Sequence, residues 1–206
     1  MNCIICGNSA ENVICQNCTG LEQQEVIRTY CLNTASKSPL QMAQEIMGHP
    51  GFPLAGHLHH ALVAAVLVAA YRNAGGEVSP EKLEEAIKRG SGIPGGFCAG
   101  FGADAAAIAC GIAVSLINGN TINAEHAAGR AQAHALTGEA MLLIANNSGN
   151  RCCKRSVYGV LELATNYFNR VMEVSLEAQE KRISCPFNSK NKLCNGAACK
   201  YHPAAI

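Results

Sequence analysis

Cys3, Cys6, Cys15 and Cys18 stand in the order C-x2-C-x8-C-x2-C. Two thiol pairs on tight turns at that separation suit one tetrahedral four-sulfur site. Such a site leaves no coordination position open, which makes it structural rather than catalytic. Gly7, Asn8, Asn17 and Gly20 supply turn residues that let backbone amides tip toward sulfur. Zinc is the expected occupant; a single iron, a cluster and an unmetallated redox set are the alternatives. The work expected of the metal is to hold residues 1–20, which are too few to form a core, so their deletion should leave the remainder folded with its own metal.

A second group closes the chain, Cys185-x8-Cys194-x4-Cys199, with His202 close behind. Three sulfurs are one short of a closed site. Either His202 completes a zinc site, or Cys152 or Cys153 completes a 4Fe-4S cluster. Those two vicinal cysteines sit at a helix start among Arg151, Lys154 and Arg155, a positive setting that favours thiolate. Successive helical residues differ by about 100° in direction, so one thiol should face inward and the other should not. The sequence leaves open which does which. The working division puts Cys153 with Cys185, Cys194 and Cys199 as cofactor ligands, and Cys152 in the reactive pocket.

The rest of that pocket is read from two other helix starts. Gly95 to Gly119 is a glycine-rich loop running into a small, apolar helix with Cys98, Asp104 and Cys110. The whole segment reads as buried, with Cys98 placed to act as a nucleophile and Cys110 as packing. In GHLHHALVAAVLVAAYRN, His57, His59 and His60 crowd a helix start and could ligate a metal or serve as acid and base, and His57 and His60, three apart, should point into one space. Arg151 would clamp an anion. The catalytic candidates are therefore Cys98, His57, His60, Arg151 and Cys152. His126, Arg130 and His134 form a polar stripe at helical spacing, which reads as a water-facing edge, and Cys31 reads as packing.

Helices must carry all of this. Ser38-Pro39 and Ser79-Pro80-Glu81 are helix starts, Gly48 and Gly75-Gly76 are stops, and Asn123 opens a helix over 124–145. After the loop NNSGNR at 146–151, another helix runs to about 173. No apolar segment alternates with period two, so strand is expected only in short hairpins of the knuckles. The fold class is all-α: one helical-bundle domain over 21–184, a four-cysteine knuckle over 1–20 and a cysteine-rich knuckle over 185–206.

Composition narrows the partners. The chain has 206 residues, 49% hydrophobic and 15% charged, enough for one sizeable core. A net charge of +1, with 5% aromatics and no Trp, gives neither the basic field nor the stacking platforms that nucleic acid binding uses. The runs 61–71 and 105–117 fall short of the roughly 20 residues that span a bilayer, so no membrane role is expected. MNCIICGNS lacks the basic and apolar regions of a secretory signal. The twelve cysteines should therefore meet a reducing cytoplasm, where they mean metal or redox chemistry.

Taken in order, H-x-HH before an apolar helix, PGG-x-C-x-G-x-G, RCCKR and the terminal C-x8-C-x4-C resemble a cysteine-rich family named domain of unknown function 5714, found in anaerobic archaea and bacteria. The resemblance spans about residues 49 to 203. Its members tend to occur beside or fused to methyltransferases, which implies an oxygen-sensitive cofactor and a methyltransferase or similar protein partner. Members carry a further Cys near the position of Asp104, and this chain departs from them there. The combined expectation is an iron-sulfur or metal protein of anaerobic metabolism, with redox or sulfur and methyl transfer in a central Cys/His pocket. The alternatives are a noncatalytic zinc-stabilised module for a partner protein, and a thiol redox sensor using Cys152 and Cys153.

Overall fold

The computed structural model describes residues 1–147 and 149–205; Ser148, inside the loop read at 146–151, lies outside the described residues. Among those described there are nine α-helices: α1 (Gln16–Thr19), α2 (Gln23–Asn33), α3 (Pro39–Met47), α4 (Leu58–Asn73), α5 (Pro80–Ser91), α6 (Phe97–Gly100), α7 (Ala105–Ile117), α8 (Ala127–Asn146) and α9 (Cys153–Val171). No strand occurs among them, and one antiparallel bridge, Asn2 with Ser9, closes the first turn of the N-terminal knuckle. The all-α fold expected from the sequence is the fold found.

The bundle is built around α4, a helix apolar on every side, with each residue from Ala61 to Ala70 buried. A helix without a polar face must be enclosed, and α2, α3, α5, α7 and α9 surround it. The second apolar helix, α7, lies against α4, α5, α8 and α9. Small residues set these distances. A Cβ at Gly90 of α5 would stand 2.5 Å from Ala61 Cα and 2.9 Å from the carbonyl carbon of His60, so α5 rests directly on the backbone of α4 where the histidines begin. Ser38 accepts from Gln41 N to cap α3, with Pro39 at its first position, and Asp104 accepts from Ala106 N to cap α7.

Three expectations need correction. The segment from Gly95 is not buried throughout: α7 is, but in the loop before it Cys98 is exposed and Phe101 is 67% exposed. Gly96 and Gly102 take positive φ there and bring no side chain that could pack. The helix opened by Asn123 begins as a single 3-10 turn, Ala124–His126, before α8. Its polar stripe does face outward, with His126 Nδ1 accepting from Thr121 N and Arg130 Nη1 donating to Thr121 O and Asn123 O, which ties down the preceding loop. The last helix stops at Val171, and Glu173 takes φ 54 as the chain turns back.

Both knuckles pack on the body. Cys3, Ile5 and Cys18 belong to the same buried core as the helices. His49, 2% exposed, accepts from Gly51 N at Nδ1 and so carries its proton on Nε2, from which it donates to Cys18 O at 2.9 Å. At the other end, Cys185 N donates to Tyr201 O at 2.7 Å, and the Tyr201 ring meets that of Tyr158 on α9 edge to face at 5.2 Å. Tyr201 also donates its hydroxyl to Glu162 of α9. No helix among the described residues is long and apolar enough to cross a membrane.

Candidate functional site

The four N-terminal sulfurs lie within 4.8 Å of one another, which makes the set able to hold a metal ion. Cys6 Sγ and Cys15 Sγ are 3.8 Å apart. A tetrahedron with metal–sulfur bonds of about 2.3 Å has edges of about 3.8 Å, so this pair already has the separation of two thiolates on one ion. The local chain is shaped for sulfur. Gly7 takes φ 75 and closes a turn onto Cys3 O, and Cys15 N donates to Cys3 Sγ at 3.3 Å. Burial alone would raise the Cys3 thiol, but backbone N–H groups of Cys15, Cys6 and Ile5 outweigh it and bring it down to about 6. Cys18 is pushed up by burial and by the other three sulfurs.

At the far end, Cys152, Cys185, Cys194 and Cys199 line one cavity of about 20 Å³. Cys152 is the N-cap of α9, with extended backbone at φ −148, and Asn191 Nδ2 lies 3.5 Å from its sulfur. Burial pushes the Cys185 thiol up, and its neighbours Cys152, Cys199 and Cys194 add to that. Tyr158, one and a half turns along α9, has its hydroxyl buried without a hydrogen-bond partner and lines the same cavity. His202 lines it too, but its Nδ1 lone pair is taken by Ala204 N at 3.1 Å. Cys153, the working choice for the fourth ligand, is not among the lining residues. The helix begins at Cys153 while Cys152 precedes it in extended backbone, so the two adjacent thiols leave the chain in different directions.

Cys153 opens instead on a cleft of about 290 Å³ that Cys152 also lines. His60 comes to this cleft from α4, Cys98 from α6 and Asp104 from the start of α7, with Arg151 at its rim. His60 donates from Nδ1 to Ile93 O at 3.2 Å, which leaves the lone pair on Nε2. Burial lowers its pKa, and Asp104 opposes that in part, so the ring is neutral at ordinary pH. Asp104 is committed to structure on both oxygens: one accepts from Ala106 N and the other from Ser156 Oγ, linking α7 to α9. His57 does not share the space of His60. It is the exposed N-cap of α4, with helical φ and ψ, and is not among the residues that line the cleft, whereas His59 and His60 are. Cys110 and Cys31 are wholly buried, and burial raises both thiols, that of Cys31 to about 12.

A family model described as a family of unknown function, DUF5714, matches residues 27–202. The chain belongs to this family. The matched span takes in the cleft and the C-terminal cysteines and begins after the N-terminal four. A search of curated proteins and one of solved structures found no match.

In this DUF5714 chain His59, one of the three histidines read at the helix start, and Lys154, read only as a flanking cation, are each no more than 2% exposed, and their pairing is what reading the sequence missed. Lys154 Nζ donates to Pro53 O and to His59 Nε2, both at 3.1 Å, and stands 4.3 Å from the centre of the Phe187 ring and 5.3 Å from that of Phe52. His59 holds its own proton on Nδ1 for Gly56 O. Burial, reinforced by the Lys154 charge, drives His59 down to about 3. Burial also lowers Lys154 to about 8, against the pull of Cys153, Cys152 and Cys185.

The sign of the resulting pH dependence follows from His59. Its folded-state pKa is depressed, so the unfolded chain takes up the proton first as pH falls below about 6.5, and stability present above that pH is lost on the way to about 3. Each unit of pH in that window costs up to about 1.4 kcal/mol from this residue. Between pH 7 and pH 5 the intact chain should lose about 2 kcal/mol more than His59→Gln, which keeps an acceptor for Lys154. Urea unfolding of both proteins at the two pH values measures the difference, and carboxylate contributions cancel in it.

Proposed function

We propose that the chain is an iron-sulfur protein of anaerobic metabolism with zinc in the N-terminal four-cysteine site. A 4Fe-4S cluster would be held by Cys152, Cys185, Cys194 and Cys199 beside a cleft for redox, sulfur-transfer or methyl-transfer chemistry. The observation that carries the reading is that Cys152 lines both the cysteine cavity and the cleft. Four sulfur donors, and a buried Tyr158 hydroxyl that wants an acceptor, suit a sulfide-containing group. When bound, such a cluster supplies single electrons at a potential set by its surroundings.

The chain's own residues do the remaining work. Cys153, at the positive end of α9 and near Arg151 and Arg155, is placed to be a thiolate nucleophile, and Cys98 lines the same cleft. His60 Nε2 accepts the thiol proton and can return it, and Arg151 holds an anionic group of the substrate. Relative to the reading from sequence alone, Cys152 and Cys153 exchange roles, and His59 replaces His57 in the wall. A methyltransferase partner and a reducing, cytoplasmic setting remain part of the proposal.

Anaerobic purification followed by metal analysis tests it. Roughly four iron and four acid-labile sulfide per chain, together with zinc, are expected. Zinc without iron or sulfide would favour a noncatalytic module for a partner protein. Rapid labelling of Cys152 and Cys153 with little metal of any kind would favour a thiol sensor.

A further inference from the structure

Lys154 is a buried cation without a counter-charge: among the described residues no carboxylate lies within ion-pair distance of it. An ammonium taken out of water is costly unless an anion or a full set of acceptors meets it. Among the described residues, two neutral acceptors and the faces of two aromatic rings meet it. A methionine would fill the same space without that cost. The charge therefore destabilises the metal-free fold, and it is held at a fixed place rather than left to reach solvent.

What it lies beside is the cysteine cavity: Lys154 follows Cys152 and Cys153 at the start of α9, and its ammonium rests on a ring that walls that cavity. Phe187, whose ring lies 4.3 Å from Nζ, lines the cavity of the four cysteines, and His59 lines the cleft. The ammonium thus sits in the partition between the two. Its remaining neighbours, Pro53 O and His59, are neutral.

We propose that Lys154 is a positioning residue for electron transfer, a caged positive charge that raises the reduction potential of the cluster on Cys152, Cys185, Cys194 and Cys199. This rests on the cluster proposed above. Reduction adds one electron from an external one-electron donor to a thiolate-bound group that is already negative. A fixed cation beside it stabilises the reduced form more than the oxidised form, and no proton is needed for balance.

The test uses the full chain, reconstituted anaerobically with iron and sulfide and titrated with a chemical reductant at fixed poise while the reduced signal is followed by electron paramagnetic resonance. Lys154→Gln keeps a donor for Pro53 and His59 but loses the charge, and Lys154→Met loses both. At the midpoint poise of the parent, the ratio of oxidised to reduced cluster should rise about tenfold in each variant, which is about 59 mV for one electron. Iron content should be unchanged, and the metal-free variants should melt no lower than the metal-free parent. A folded, iron-loaded variant with the parental midpoint overturns the proposal. So does loss of the fold in both variants, which would make the ammonium a structural strut. A parent chain that takes up no iron overturns the cluster reading itself, and that result is distinct from a cluster whose potential does not move.

Discussion

Cys152→Ser should abolish iron uptake at the C-terminal site, whereas Cys153→Ser should leave iron, sulfide and visible charge-transfer absorption at the parental level. The two thiols are adjacent in sequence, equal in chemistry and alike in exposure, so only direction separates them. Cys152 is the N-cap, in extended backbone, and lines the cavity with Cys185, Cys194 and Cys199. Cys153 is the first helical residue and opens on the cleft alone. Removing one of four thiolates from a cluster site leaves an iron without a protein ligand, and Ser at the N-cap cannot replace it as a soft donor. The expected effect is loss of the cluster, not a change in its amount. Cys153→Ser should instead slow alkylation of the cleft and reduce any transfer activity. If both variants keep full metal while His202→Ala loses it, the site is a peripheral zinc knuckle and the noncatalytic reading becomes the better one.

The uncertainty that this experiment addresses was built into the sequence. Which of the two is the extended cap and which the first helical residue decides where each thiol points, and sequence signals fix helix ends only to within one or two residues. A related limit holds for the histidines. Spacing shows that two of the three share a face, but not which side of the helix start the bundle covers: His59 is buried and His60 half-buried at the cleft, while His57 is exposed. By contrast, the four N-terminal cysteines were legible because their spacing is short enough for the turns alone to bring them together. The buried helices α4 and α7 were legible as well, because an apolar run with capped ends has no other place to go. Lys154 was not. In RCCKR it looks like one of three flanking cations, and what buries it is Phe52, His59 and Phe187, which lie far away in the chain. His49 was hidden for a similar reason: its partner, the carbonyl of Cys18, belongs to a knuckle that reads as self-contained.

That contact leads to the second large effect, on deleting residues 1–20. The remaining chain should stay helical and keep its iron, because α4, α7 and α9 make their core without the knuckle. It should nevertheless be less stable. Cys3, Ile5 and Cys18 are all within 3% of full burial in the shared core, and their loss uncovers apolar surface on the body. At about 1.5–3 kcal/mol for a large buried apolar side chain, the loss is on the order of 4 kcal/mol. For a chain of this size that lowers the melting temperature by roughly 10 °C. Circular dichroism against temperature, with iron measured on the same sample, gives both quantities. A truncated chain without helicity or iron would make the knuckle part of the central fold, while an unchanged melting temperature would mean that it merely rests there. His49→Phe separates the contact from the metal. It leaves all four N-terminal sulfurs in place but removes the Nε2 donor, so Cys18 O is left with its backbone donors alone and part of the same destabilisation should appear, about 1 kcal/mol, with zinc still bound.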